Sequence, residues 1–365
     1  MSSPISGDTP SSPSSSSRCE APTMNSIPLL RNILSRLPTA SLLRLRSVCR
    51  DWRHIIDHPH FAAMQHASAV ESPRILLLSK PRGGAEPRIV VDDKFLATSL
   101  PESMSWLHGV GSSCHGLLCF HDFYDRASYV LNPLTREVVL LPSVDPLRER
   151  WRPFSVGVGA SRLTGRYKIV RLSYLRDGAI LAFRAEVLDQ GSWSWRKVAS
   201  APPNLLLEEP VFAAGSIHWT DLGAGLAVGI SSFDLAKEEF APTPCPEGFR
   251  DPYLVELQGV LGVVDCLGKE SVDVWVREEE SGRWTKEYSV RLIPPLPMSS
   301  RYNLNVRRCG GGRKIALNYE DSFWFYDHAT DELRHEQRDG ASRATVACSI
   351  TVSLLSPAKL WNGGG

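Results

Sequence analysis

The chain has no surplus of either charge. Its 41 Lys and Arg face 40 Asp and Glu, for a formal net charge of +1. Nucleic-acid and membrane-surface proteins carry a clear basic excess, so this balance argues against both partners. No apolar run approaches the roughly 18 residues that a membrane-crossing helix needs. The first residues are rich in Ser and Pro and lack the apolar stretch of a secretory signal, so residues 1–23 read as a disordered tail. The eight cysteines, at positions 19, 49, 114, 119, 245, 266, 309 and 348, form no Cys-x-x-Cys. Without zinc-type spacing they are expected to be reduced thiols, mostly buried, in a protein of the cytoplasm or nucleus.

Catalytic signatures are also scarce. There is no Gly-x-Ser-x-Gly, and Gly310-Gly311-Gly312-Arg313-Lys314 lacks the spacing of a phosphate-binding loop. A hairpin turn explains that glycine run better, and Glu278–Gly282 reads as a solvated hairpin tip. Cys114 and His115 are neighbours, but adjacent strand residues point to opposite faces, which separates thiol from imidazole. His54, His58, His60 and His66 have no thiolate or carboxylate at ligand spacing. The expectation is therefore no catalytic residue, no metal and no cofactor. From Arg74 onward, long helical periodicity is missing as well.

Two patterns remain. The first is confined to Ile27–Phe61. Leu30, Ile33, Leu34 and Leu37 fall at helical spacing, i, i+3, i+4 and i+7. Pro38 ends that helix. Thr39 or Ser41 is placed to cap the next. Leu42, Leu45, Val48, Cys49, Trp52, Ile55 and Ile56 continue the apolar stripe, and Pro59 breaks it before Phe61. The segment is shorter than the roughly 40 residues below which a core rarely sustains itself. It must lean on the rest of the chain or on another protein. Its basic face, Arg31, Arg36, Arg44, Arg46, Arg50 and Arg53 against Asp51, suits a helix-turn-helix DNA reader or simply a solvated surface.

The second pattern is a series of strand-length apolar runs between turn signals, such as Arg74–Leu78, Gly116–Phe120, Ser128–Asn132, Tyr167–Leu172, Val228–Phe233 and Val272–Val276. Strand, turn and strand recur in Tyr129–Pro142, Ile230–Pro242 and Phe323–Glu336. In each, Asn132, Asp234 or Asp327 is placed to satisfy the turn's backbone. The repeat is one of architecture rather than identity, with a propeller-like period of roughly 40–50 residues. Blades are expected at 112–142, 154–200, 211–242, 252–291 and 302–336. A sixth would pair Ala344–Leu355 with Arg74–Leu78 and Arg88–Val91, removing an open sheet edge. A two-sheet sandwich is the alternative.

The helical segment resembles an F-box. The carrying residues are Leu29-Leu30, Ile33-Leu34, Leu37-Pro38, Leu42-Leu43, Val48-Cys49-Arg50-Asp51-Trp52, then Pro59 and Phe61. One element departs from the family pattern. Its opening Leu-Pro would fall on Asn25-Ser26, whereas Ile27-Pro28 abuts Leu29 directly. The β-region resembles the F-box-associated domain of plant F-box proteins. It does so through Ser113-Cys114-His115-Gly116-Leu117-Leu118-Cys119, Asn132-Pro133-Leu134-Thr135-Arg136-Glu137 and Leu141-Pro142. Gly215-Ser216-Ile217-His218-Trp219, Ile230–Leu235, Val274-Trp275-Val276 and Trp284-Thr285-Lys286 follow in order.

These resemblances imply a small all-α F-box of three short helices (residues 24–69). They also imply a large all-β domain, a six-bladed, kelch-like β-propeller (70–358), before a flexible tail (359–365). They imply a non-catalytic substrate-recognition subunit of a Skp–cullin–F-box ubiquitin ligase. The Skp-type adaptor, and through it a cullin–RING ligase, would bind Pro28, Leu29, Leu30, Ile33, Leu34, Leu37, Pro38, Val48, Cys49 and Trp52, and the β-domain would hold a target protein. The rivals are a propeller binding protein whose helical segment no longer engages the adaptor, and a propeller enzyme.

Overall fold

The computed structural model describes residues 26–58, 60–61, 64–65, 74–81, 88–91, 96–99, 112–122, 126–143, 150–177, 180–223, 228–249, 252–257, 259–265, 271–291, 304–309, 314–319, 322–337, 342–350 and 353–361. Among the described residues the first helices are α1 (Ser26–Ser35), α2 (Thr39–Leu45) and α3 (Arg50–Ile56), with His60, Phe61, Met64 and Gln65 also helical. Pro28 sits in the first turn of α1, where a missing N–H costs nothing. The expected caps at Thr39 or Ser41 do not form. Pro38 is the N-cap of α2 without a side-chain bond. Thr39 is instead buried, and its hydroxyl accepts from Gln65 Nε2 at 3.1 Å. The stripe from Leu42 to Ile56 is not one helix either. It breaks at Ser47-Val48, and Cys49 adopts an extended conformation (φ −154°, ψ 169°) as the N-cap of α3. The Cys49 thiol accepts the Trp52 N–H at 3.4 Å, which gives the Cys-x-x-Trp spacing a physical role.

Six antiparallel sheets of four strands follow. The blade at the ring's seam joins both ends of the chain. It comprises β1 (Arg74–Pro81), β2 (Arg88–Val91) and β3 (Leu96–Ser99), with β24 (Ser342–Ile350) pairing against β1 through Leu76↔Cys348 and neighbouring positions. The next blade holds β4 (Ser112–Cys114), β5 (Leu117–Asp122), β6 (Ala127–Asn132) and β7 (Glu137–Leu140). The third holds β8 (Arg152–Ala160), β9 (Tyr167–Asp177), β10 (Ile180–Asp189) and β11 (Arg196–Lys197). In the fourth are β12 (Leu205–Ala213), β13 (Ser216–Leu222), β14 (Val228–Asp234) and β15 (Glu239–Thr243). The fifth contains β16 (Tyr253–Leu257), β17 (Val260–Asp265), β18 (Ser271–Arg277) and β19 (Trp284–Arg291). The last contains β20 (Leu304–Cys309), β21 (Lys314–Tyr319), β22 (Ser322–Asp327) and β23 (Glu332–Gln337).

The first strands, β24, β4, β8, β12, β16 and β20, touch one another in sequence around a closed ring. The sheets are separate blades, which rules out the two-sheet sandwich. Burial follows the radius. Every residue of β5 is buried, whereas both residues of the outer β11 are exposed and β15 is mostly so. That gradient explains why inner strands read as continuous apolar runs and outer strands as mixed ones. Close approach at the ring's centre depends on Gly159, since a Cβ there would lie 2.5 Å from Phe212 Cδ2.

The turns carry recurring chemistry. Between β4 and β5, His115 (φ 48°) and Gly116 (φ 82°) form a two-residue left-handed turn, and Ala214 and Gly215 repeat it between β12 and β13. Both central residues at positive φ match the twist of tight hairpins. His115 therefore lies in a turn rather than in a strand beside Cys114. The three expected Asx turns are present. Asn132 Oδ1 accepts from Leu134 N, Asp234 Oδ1 from Ala236 N and Asp327 Oδ1 from Ala329 N, at 2.9, 2.7 and 3.1 Å.

Trp219 anchors the core of the fourth blade. It is 0% exposed and donates from Nε1 to Ser155 Oγ of the third blade at 2.9 Å. Trp219→Ala is expected to cost about 3–5 kcal/mol in urea unfolding. Trp193→Ala, at a residue 44% exposed, is expected to stay within about 0.5 kcal/mol of the parent.

Candidate functional site

Neither the N-terminal helices nor the chain's last helix, α4 (Pro357–Trp361), stands apart from the propeller. Leu34, Leu42, Ile55, Ile56 and Phe61 belong to one buried cluster with Leu117, Leu118, Leu131, Leu354, Leu355, Leu360 and Trp361. Residues 359–361, assigned to a flexible tail on sequence, form the second half of α4, with Leu360 and Trp361 almost fully buried. The segment 353–361 acts as a strap. Asn132 Nδ2 donates to the carbonyls of Ser353 and Leu355 at 3.0 and 2.7 Å. Ser353 Oγ donates to His115 O at 2.5 Å, Ser356 Oγ bonds to Glu137 Oε2, and Gly191 N donates to Leu360 O at 2.7 Å. From the other side of α4, Lys359 Nζ reaches Asp57 O at 3.1 Å. His115, Asn132 and Gly191 all sit at first or third turns of a blade, which share one face of an up-and-down sheet. The strap and the helices are held on that face.

The structure divides the expected adaptor-binding residues into two groups. Leu34 is 1% exposed, and Leu30, Leu37, Cys49 and Trp52 are half-buried, with Leu30, Leu37 and Trp52 packed on the shared core. Leu29, Ile33 and Val48 are 65, 53 and 61% exposed, and Pro28 and Pro38 are also exposed. Ile33 thus leaves the buried stripe in which its spacing placed it. Leu29 and Ile33, four apart, share the outer face of α1. Leu29, Ile33 and Val48 are thus large apolar side chains that the propeller's core leaves exposed.

The interior offers little chemistry. The buried Cys114 and Cys119 thiols are pushed well up by desolvation, and Cys245 is raised to about 11 for the same reason. A thiol so held is a poor nucleophile. His115 Nδ1 pairs with Tyr167 Oη at 2.9 Å. His121 bonds to Ser128 Oγ and Pro153 O, and His218 to Ser232 Oγ and Ala213 O. Arg171 and Arg184 share the Glu186 carboxylate between them in the interior, each stacked on an indole, Trp195 or Trp151. Among the described residues no group of His, Cys, Asp and Glu is arranged to hold a metal, and no helix is long and apolar enough to cross a membrane. Cys19, His66, Cys266 and the Gly310–Arg313 turn lie outside the described residues. The Glu278–Gly282 tip is more than a solvated turn, since Glu279 forms a bidentate pair with Arg162 of the third blade.

Residues 43–317 match the model of the F-box associated beta propeller domain. The chain belongs to that family. Among its relatives in Arabidopsis thaliana, an F-box/LRR-repeat protein is 30% identical over 72% of this chain and 66% of its own length. An F-box/kelch-repeat protein is 26% identical, over 78% of this chain and 88% of the relative. A third F-box protein is 28% identical, over 76% of this chain and 74% of its own length. Likeness to solved structures is looser. TolB from Acinetobacter baumannii has a TM-score of 0.44 at 11% identity, over 76% of this chain and 66% of that one.

Two measurements probe this arrangement. Asn132→Ala removes the donor to two strap carbonyls and is expected to cost about 2–4 kcal/mol. Amide exchange should rise first in residues 353–361. The second concerns pH. Burial lowers His121 and His218 from 6.5 to about 4. The unfolded chain binds protons on them between those values and the folded chain does not, so stability falls as pH drops from 6.5 toward 4. Unfolding at pH 5 is expected to be easier than at pH 7 by about 2 kcal/mol for each histidine. A His121→Gln, His218→Gln double variant should flatten that slope.

Proposed function

We propose that this F-box-family propeller protein is a non-catalytic substrate receptor of a Skp–cullin–F-box ubiquitin ligase. The observation that carries the reading is the outward exposure of Leu29 and Ile33 on one face of α1, with Val48 exposed in the turn before α3, in a module otherwise committed to the propeller's core. The module needs no second protein to complete its own core, so these side chains are available for a partner. Pro28, Leu29, Ile33, Pro38 and Val48 face the Skp-type adaptor. Leu30, Leu34, Leu37, Cys49 and Trp52 shape and hold the module from within. The Ile27-Pro28 start forms the first turn of α1, beside Leu29, and so belongs to the same surface. Buried, high-pKa thiols and partnered histidines favour this reading over a propeller enzyme.

The target would be held by the propeller. One surface suits it. Among the described strands the β9–β10 hairpin is the longest, with strands of 11 and 10 residues. Its Tyr174 and Phe183 form a half-buried aromatic group with Phe154 of the adjoining β8, and Leu181 on the same hairpin is 45% exposed. The ends of these strands at Asp177 and Ile180 lie at the second-turn side of the blade, opposite the strap, which leaves a target clear of the adaptor.

Co-purification with a Skp adaptor tests the reading. The exposed positions are the informative ones, because aspartate at buried Leu34 would unfold the module. Leu29→Asp with Ile33→Asp is expected to weaken adaptor capture about a hundredfold or more while leaving thermal stability near the parent's. A wild-type chain that fails to capture the adaptor where another F-box protein succeeds would sink the ligase reading. It would favour the binding protein whose helices no longer engage the adaptor.

A further inference from the structure

We infer that the cleft between α3 and α4 binds a small multivalent phosphate anion that bridges the helical module and the C-terminal strap. The cleft has a volume of about 350 Å³ and is lined by Arg50, Arg53, His54, Asp57, His58 and Lys359. Five of these are basic. On α3 and its continuation, positions 50, 53, 54, 57 and 58 are spaced i, i+3, i+4, i+7 and i+8, so they form one stripe. That stripe lies opposite Ile55 and Ile56, which are buried in the core. Lys359 enters from the strap.

The carboxylate in the cleft does not balance this charge. Asp57 pairs with Arg46 at 2.6 Å from outside the cleft, while Arg53 and Lys359 stand 3.8 Å away. Arg53 and Lys359 keep 67 and 49% of their side chains exposed, so their remaining donors are accessible to a ligand. A surplus of positive charge persists in the site, and His58 registers it. Burial first, then Arg31, His60, His54 and Lys359, holds its pKa below the usual value. Arginines with a lysine around a concave site suit phosphate oxygens, which accept several charge-assisted bonds at once. A chloride-like ion would leave most of those donors unmet. Because the arginines belong to the module and Lys359 to the strap, such an anion would tie the two together.

Pyrophosphate is the probe, titrated into the full chain at constant ionic strength, with chloride as the reference and calorimetry and thermal unfolding as readouts. Saturable binding and a rise in Tm are expected. Arg53→Gln with Lys359→Gln is expected to weaken binding roughly tenfold or more. Both side chains are largely exposed, and an anion-free Tm close to the parent's confirms that the variant folds. Binding no stronger than chloride's, or equal binding in the double variant, overturns the inference. So does loss of Skp-adaptor capture in the double variant with no pyrophosphate effect on the parent, which would assign the stripe to an acidic protein surface.

Discussion

Helices of ten, seven and seven residues cannot hold themselves in water, so the N-terminal module takes its order from what it packs against. The whole arrangement follows from that constraint. Leu34, Leu42, Ile55, Ile56 and Phe61 are buried in the same cluster as Leu117, Leu118 and Leu131 of the second blade. Between them lies the strap, with Leu354, Leu355, Leu360 and Trp361. Asn132 joins the pieces through both ends of its amide. Its oxygen closes the turn after β6, and its nitrogen holds two carbonyls of the strap. One side chain thus serves local structure and long-range assembly together.

Ring closure places the strap. β24 is the inner strand of a blade whose other strands, β1 to β3, come from the beginning of the domain. The chain enters the ring just after the helical module and leaves it just before the strap. Both segments therefore emerge at one blade and one face, where they meet. Closure removes the free sheet edge, and it also fixes the module beside the propeller. The exposed side chains of α1 and the opposite propeller face are thereby parts of a single body. Under the proposed function, that single body would link a ligase adaptor to a target.

Much of this fold was legible in the residues. The six-blade ring, the terminal strands at its seam and the turns at Asn132, Asp234 and Asp327 follow from strand-length apolar runs, repeated at blade length and punctuated by Asx and Gly signals. The site was only half legible. Spacing placed Ile33 on the buried stripe, yet 53% of it is exposed. A helix of this length buries a narrow stripe, and which residues fall inside depends on a tertiary neighbour that periodicity does not see. Apolar spacing carries the stripe through Val48 and hides the break there, whose signal is Cys49, a residue rarely read as a cap. The strap was missed for a similar reason. Ala358-Lys359-Leu360-Trp361 is too short to show a period.

The central claim is that the module and strap share one core with the second and third blades and unfold with the propeller as one unit. Calorimetric unfolding of the full chain, with amide exchange followed across residues 26–61 and 112–140, tests it most directly. The account predicts one transition, with calorimetric and van't Hoff enthalpies in agreement. It also predicts that the slowest amides of α2 and α3 open with the same free energy as those of β5 and β6. A separate, earlier transition confined to the helices, with the propeller's protection intact, would contradict it.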